Sequence, residues 1–196
     1  MRLLLEKSAL SNKMMISTDD EKLDAISHNH VRFYVRYSSL VFRALQKPAF
    51  QRFICWMLKR EKIEEKSVKQ VHIKVLPLRK SGQGIAGKCD PARGRIQIYP
   101  KTVKFCQMFR QKFGRDSLSM YAGNRARAAL IHELLHLKYT TDESTVRELS
   151  EEYFCTFTCK QSEKNSHVRR IYTMIFKAKS YERNFLQSPQ TINVSG

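Results

Sequence analysis

Ile131-His132-Glu133-Leu134-Leu135-His136-Leu137 is the stretch on which the reading of this chain turns. It is a His-Glu-x-x-His pattern with apolar residues at both x positions and on both flanks. Residues 125–139 hold Ala126, Ala128, Ala129, Leu130, Leu134, Leu135 and Leu137, with no Pro or Gly, so they predict a helix. On that helix His132 and His136 lie one turn apart on one face. Two imidazoles so placed can hold one zinc ion, and the intervening Glu133 is placed to act as general base. The competing reading is two ordinary polar residues on a half-buried helix. Uncharged x positions tell against it, because a buried His pair needs partners and a metal satisfies both rings.

Outward from the motif, residues 139–141 form a tight connection, and a helix is expected from 143 to about 160. A catalytic zinc usually takes three protein ligands. Val146, Leu149, Tyr153 and Phe157 define the buried face of this second helix. With Val146 at zero, Glu143 falls at about +60°, Asp142 at about −40° and Glu148 at about 200°. Glu148, Glu151 and Glu152 therefore point outward. Glu143 is chosen for its reach, and Asp142, its rival, is read as the N-cap. Both can also be plain first-turn acids favoured by the helix dipole.

Upstream, Val71, Ile73 and Val75 alternate with polar residues, which predicts a strand closed by Pro77. Residues 85–89 are a second strand, Asp90-Pro91-Ala92-Arg93-Gly94 a turn and residues 95–99 a third strand. The last two form a hairpin. Residues 102–113 read as a helix stopped by Gly114, and a short segment over 116–121 precedes the motif helix. Pro48 suits the first residue of a helix that carries Phe50, Phe53, Ile54, Met57 and Leu58 and ends near residue 65. Another helix runs from Asp20 to about Leu45, and a last one spans 168–179. The fold class is α+β: about three mostly antiparallel strands with the motif helix and additional N- and C-terminal helices. Residues 1–19 are expected as a disordered tail, 20–66 as a helical N-terminal extension, 67–180 as the catalytic domain and 181–196 as a flexible tail.

Composition bounds these readings. The 196 residues, 42% hydrophobic, suffice for one core, or a core with helical extensions. No apolar run reaches membrane-spanning length, and the Leu3-Leu4-Leu5 run is too short for a signal-peptide core, so a cytoplasmic location is expected. Cys55, Cys89, Cys106, Cys155 and Cys159 have scattered spacing and read as reduced thiols. A cysteine-switch role for Cys89 is the rarer reading beside a structural thiol. Net charge is +18, from 36 Lys and Arg against 18 Asp and Glu. That excess points to nucleic acid as a partner through a basic surface, so the alternative function is a basic nucleic-acid-binding protein with a structural or vestigial zinc site, or a protease acting on DNA-associated proteins; a merely solvated basic surface is the plainer reading. Five acids and one base between Asp142 and Glu152 directly follow the motif helix.

The run His132-Glu133-Leu134-Leu135-His136-Leu137-Lys138-Tyr139, followed by Asp142-Glu143, resembles the minigluzincins, small single-domain zinc peptidases of the HExxH zincin type. More distantly it is similar to Spartan-type metalloprotease domains, which act on DNA–protein crosslinks. Gly84-Ile85-Ala86-Gly87 and Ile96-Gln97-Ile98-Tyr99-Pro100 look like the edge strand and its partner in such domains. The resemblance covers residues 68–160. It implies a small twisted sheet packed on the motif helix, one Zn2+ ion, and an edge strand that binds extended peptide along residues 84–89. The gluzincin pattern implies a Glu ligand on the following helix, which fits Glu143. Spartan-type domains supply a third His, where this chain has Asp142. The metzincin pattern needs a Gly where this chain has Tyr139. The expected activity is zinc-dependent endopeptidase action on peptide or protein substrates, with Glu133 as base and Tyr121, Tyr153 or Tyr172 as oxyanion donor.

Overall fold

The computed structural model describes residues 7–9, 14–18, 27–80, 83–84 and 86–162. The expected helix at 168–179 and the tail at 181–196 lie outside these residues. In chain order the elements are β1 (Lys7–Ala9), β2 (Met15–Thr18), α1 (His28–Leu45), α2 (Pro48–Glu61), β3 (Gln70–Ile73), β4 (Arg79–Lys80), β5 (Gln83–Gly84), β6 (Gly87–Asp90), β7 (Arg95–Ile98), α3 (Val103–Phe113), α4 (Arg115–Tyr139) and α5 (Glu143–Ser162). The class is α+β, as expected.

The sheet differs from the expected three antiparallel strands. It has the order β1-β2-β3-β7-β6 and is mixed: β2–β3 and β3–β7 are parallel, β1–β2 and β6–β7 antiparallel. The physical reason lies in the connections. α1 and α2 carry the chain from β2 back to the start of β3, so those strands run the same way. The β6–β7 hairpin then places its second strand, not its first, beside β3. Its tight turn closes through Gly94 at φ 60° and through the Asp90 carboxylate, which accepts from the Arg93 N–H at 3.3 Å. β4 and β5 form a separate two-stranded ribbon.

One sheet face is apolar. Ile16, Val71 and Ile96 stand in one row and Ile73 and Ile98 in the next, all buried. The alternate row of Ser17, His72, Gln97 and Lys88 lies on the other face, where Ser17 Oγ and His72 Nδ1 are 3.3 Å apart. This period-two alternation is what a one-sided core imposes. Residues 7–9 and 14–18, expected within a disordered tail, thus join the sheet. The β2 segment is too short to show its alternation against background, yet Met14 and Ile16 are among the best buried residues of the chain.

Helix α4 packs against the apolar sheet face and against α1, α3 and α5. Every residue from Tyr121 to Ile131 is buried, so the helix is covered all round in its middle. It also begins earlier than expected, as one helix of 25 residues that passes through Gly123. Gly ordinarily weakens a helix. Here a Cβ on Gly123 would meet Ala44 Cβ at 3.1 Å, so the missing side chain lets α1 approach closely. Two buried arginines hold neighbouring backbone. Arg125 Nη1 donates to Tyr99 O at 2.6 Å, and Arg127 Nη2 donates to Ala44 O at 3.0 Å.

α1 and α2 share a single hydrophobic core with the sheet, α4 and α5, through Val41, Leu45, Phe50, Ile54, Met57 and Leu58. α1 starts at His28, and residues 19–26, where an earlier start was expected, lie outside the described set. α2 begins with Pro48 as its first residue and ends at Glu61, short of the expected end, because Lys62 takes the left-handed conformation at φ 57°. No described helix is long and apolar enough to cross a membrane.

Candidate metal centre

Helix α4 carries His132, Glu133 and His136, and α5 carries Glu143. The two helices are joined by a three-residue connection, and Asp142 N–H donates to Tyr139 O across it at 2.8 Å. The short elbow returns α5 against the motif turn of α4. His132 Nε2 and His136 Nε2 lie 3.1 Å apart. Glu143 Oε2 is 3.3 Å from His136 Nε2 and 3.7 Å from His132 Nε2. Among the described residues these three form one group of potential ligands, with their ligand atoms within 4.8 Å of one another.

Asp142 faces elsewhere. Its carboxylate accepts from Thr145 N–H at 3.0 Å and from Thr145 Oγ at 2.5 Å. It is the N-cap of α5, and those bonds hold its carboxyl below the usual range, the Thr145 hydroxyl contributing most.

The other ring nitrogens decide what the histidines can do. His136 Nδ1 sits 3.3 Å from Thr140 O, which can only accept, so that nitrogen carries the proton. Ser150 Oγ donates its own proton to Val146 O, so it accepts from His132 Nδ1 at 3.3 Å. Both rings thereby carry a proton on Nδ1, so that in the neutral form each presents its Nε2 lone pair toward the Glu143 carboxylate oxygen. Burial lowers the His132 pKa and so favours the neutral ring, with the Glu143 charge pulling the other way and the His136 ring acting with burial. Two imidazole nitrogens and a carboxylate oxygen within 4.8 Å of one another are a donor set that could hold a cation. Nitrogen and oxygen ligands of this kind fit zinc.

Arg147 completes the carboxylate's surroundings. Its Nη2 donates to Glu143 Oε1 at 3.1 Å, leaving Oε2 toward the histidines. Neither Ser150 nor Arg147 was singled out by sequence. Arg147 stands four residues after Glu143 on one helix, a spacing that pairs opposite charges, so that contact was open to detection.

Glu133 points away from α5, toward β6. It is buried, and the Cys89 backbone N–H hydrogen-bonds its carboxylate. Burial pushes its pKa up to about 7, against the Cys89 bond and with the help of the Glu143 charge. β6 comes so close that a Cβ on Gly87 would stand 2.7 Å from Glu133 Cγ and Oε1. The four residues share a cleft of about 430 Å³ with Gly87, Lys88, Cys89, Pro91 and Thr140.

β6 is an edge strand, and its ladder fixes which groups face outward. Tyr99 N–H donates to Ala86 O at 2.9 Å, which makes residues 86 and 99 a hydrogen-bonded pair. By alternation Lys88 and Gln97 are the next such pair, while Gly87–Ile98 and Cys89–Ile96 are not. Gly87 and Cys89 therefore direct their N–H and C=O groups to the free edge.

Compared with known proteins, the chain matches no family model, no curated protein and no solved structure.

Other expected participants lie elsewhere. Tyr121 is buried against Phe105 and Phe109, and Tyr153 gives its hydroxyl to Glu61. Neither lines the cleft, and Tyr172 lies outside the described residues. Burial pushes the Cys89 thiol up to about 12, with the charges of Glu133 and Asp90 adding to it. It stays protonated, as expected of a structural cysteine.

Proposed function

We propose that this protein is a zinc-dependent peptide hydrolase with a gluzincin-like site. The observation that carries the reading is the convergence of two Nδ1-tethered imidazoles and the Glu143 carboxylate, with the buried Glu133 lying between them and the edge strand β6. His132, His136 and Glu143 would hold the ion. When bound, it supplies Lewis acidity toward a carbonyl oxygen and a water molecule.

The chain's own residues do the rest. An extended peptide pairs with the outward groups of Gly87 and the Cys89 carbonyl, by addition of a strand to the sheet edge. That places a backbone carbonyl over the cleft. Glu133, whose raised pKa suits proton exchange near neutrality, takes a proton from the attacking water and returns it to the departing amine nitrogen. The bond broken is the amide C–N, and the bond formed is carbon to the water oxygen.

The test is Glu133→Gln against wild type, both loaded with zinc, on casein and a panel of peptides. The expected outcome is undiminished metal content with cleavage lowered about 10²–10⁴-fold, the range for removal of a general base. Equal cleavage by the two proteins would sink the proposal.

A further inference from the structure

Glu61 is the sole acidic residue of α2 and its last residue, and it is buried. Its Oε2 accepts from Lys138 Nζ at 2.9 Å and from the Tyr139 hydroxyl at 2.9 Å, and its Oε1 from the Tyr153 hydroxyl. Lys138 and Tyr139 end α4, and Tyr153 lies on α5. One carboxylate, supplied from 77 or more residues away, thus joins the two helices that bear the candidate ligands.

The positions of the donors matter. Tyr139 is three residues past His136 and four before Glu143, so it closes the elbow between those two side chains. Tyr153 is three residues past Ser150, on which the His132 ring rests. Stability alone does not specify this arrangement, although against burial its three donors together hold the Glu61 carboxyl below the usual range. Burying a carboxylate is costly, and an apolar cluster of the same volume commonly stabilises as well or better. Apolar neighbours are at hand, since Tyr153 stacks edge-on with Phe53 and Trp56. Hydrogen bonds differ from apolar contact in direction: three donors on one carboxylate fix where the helix ends stand relative to each other.

We infer that Glu61 is a positioning residue for the metal centre, holding the α4–α5 elbow at the spacing that brings Glu143 onto His132 and His136. The role rests on the metal-site reading given above. It makes α2 part of the catalytic unit.

The experiment uses the full chain with Co(II) as the probe, its affinity read from ligand-field absorption, together with amide hydrogen exchange over residues 139–143. Glu61→Ala is expected to weaken Co(II) binding roughly ten- to hundredfold, the usual effect of losing a group that orients ligands, and to quicken exchange in the elbow. Glu61→Gln, which keeps one acceptor oxygen, is expected to lose less. Ile54→Val on the same helix lowers Tm without touching the bracket and is expected to keep wild-type affinity. Tyr139→Phe removes one bond at nearly constant volume and carries the test should Glu61→Ala not fold. Its expected loss is a few-fold. Wild-type Co(II) affinity in the folded Glu61 and Tyr139 variants would overturn the positioning role while leaving the metal site standing. No Co(II) uptake by wild type would overturn both.

Discussion

At Gly87 the fold gives up a side chain for a reason that can be measured. The space a Cβ would need is occupied by Glu133, 2.7 Å away, and that glutamate is held from behind by the Cys89 N–H. Gly87→Ala must therefore push the carboxylate out of place, while His132, His136 and Glu143 are left as they are. Displacement of a reacting group by about 1 Å can cost about 10²-fold in rate. We expect Gly87→Ala to lower kcat/KM by about that factor with Co(II) affinity unchanged. A variant with wild-type kinetics would show that β6 can yield without consequence. Glu133, His132 and His136 were legible in the sequence because a helix of known pitch fixes their relation. Glu143 was legible through helical phase. Ser150 and Glu61 were not, since their contacts with His132, and with Lys138, Tyr139 and Tyr153, depend on how elements pack.

Between elements, the α4–α5 elbow separates two acids that sequence had left as rivals. Asp142 caps α5 and Glu143 faces the histidines. Asp142→Ala is expected to lower stability and leave Co(II) affinity intact, whereas Glu143→Ala is expected to lower affinity by orders of magnitude. The cap also has a pH signature. The folded pKa of Asp142 is depressed by the Thr145 hydroxyl and N–H. Its contribution is therefore complete above the unfolded value of about 3.9 and is lost as pH falls through the folded one. The gap in denaturation midpoint between wild type and Asp142→Ala should narrow from pH 6 to pH 3, and Asp142→Asn, which still caps, should show little gap at pH 6. A constant gap for Asp142→Ala across that range would refute the cap's ionic part. Elements with their own punctuation were legible: Pro48 opens α2, and Thr102 caps α3, which Gly114 stops. The start of α4 was not, because Gly123 reads as a breaker until α1 is known to cross there.

For the whole molecule, class was legible and topology was not. Alternation located β3 and β7, and the turn at residues 90–94 set β6 beside β7, but sheet order depends on which hairpin strand docks beside β3, and nothing in the residues of β6 or β7 alone decides it. Charge is a whole-molecule property of the same kind: the excess was visible, its placement was not. Residues 27–60 contain no acid, and the structure adds that Arg32, Arg36 and Arg43 all lie exposed along α1. At 3.6 residues per turn these three fall within about 40° of one another, as a straight basic ridge. None of them lines the cleft. Among the described residues the large exposed apolar ones are Met15, Trp56 and Met120, none of them on α1. A ridge without apolar or aromatic side chains suits phosphates of a duplex better than a bilayer or unstacked bases. We therefore expect salt-dependent binding to duplex DNA, read by fluorescence anisotropy over a series of salt concentrations. Each phosphate contact contributes about −0.9 to the slope of log K against log salt, so Arg32→Gln, Arg36→Gln and Arg43→Gln combined should make it shallower by roughly 2.7. Cleavage of a short peptide by that triple variant should stay at the wild-type rate, since the ridge and the cleft are separate. An unchanged slope would mean that the ridge is only a solvated face, and that the excess charge acts elsewhere on the molecule.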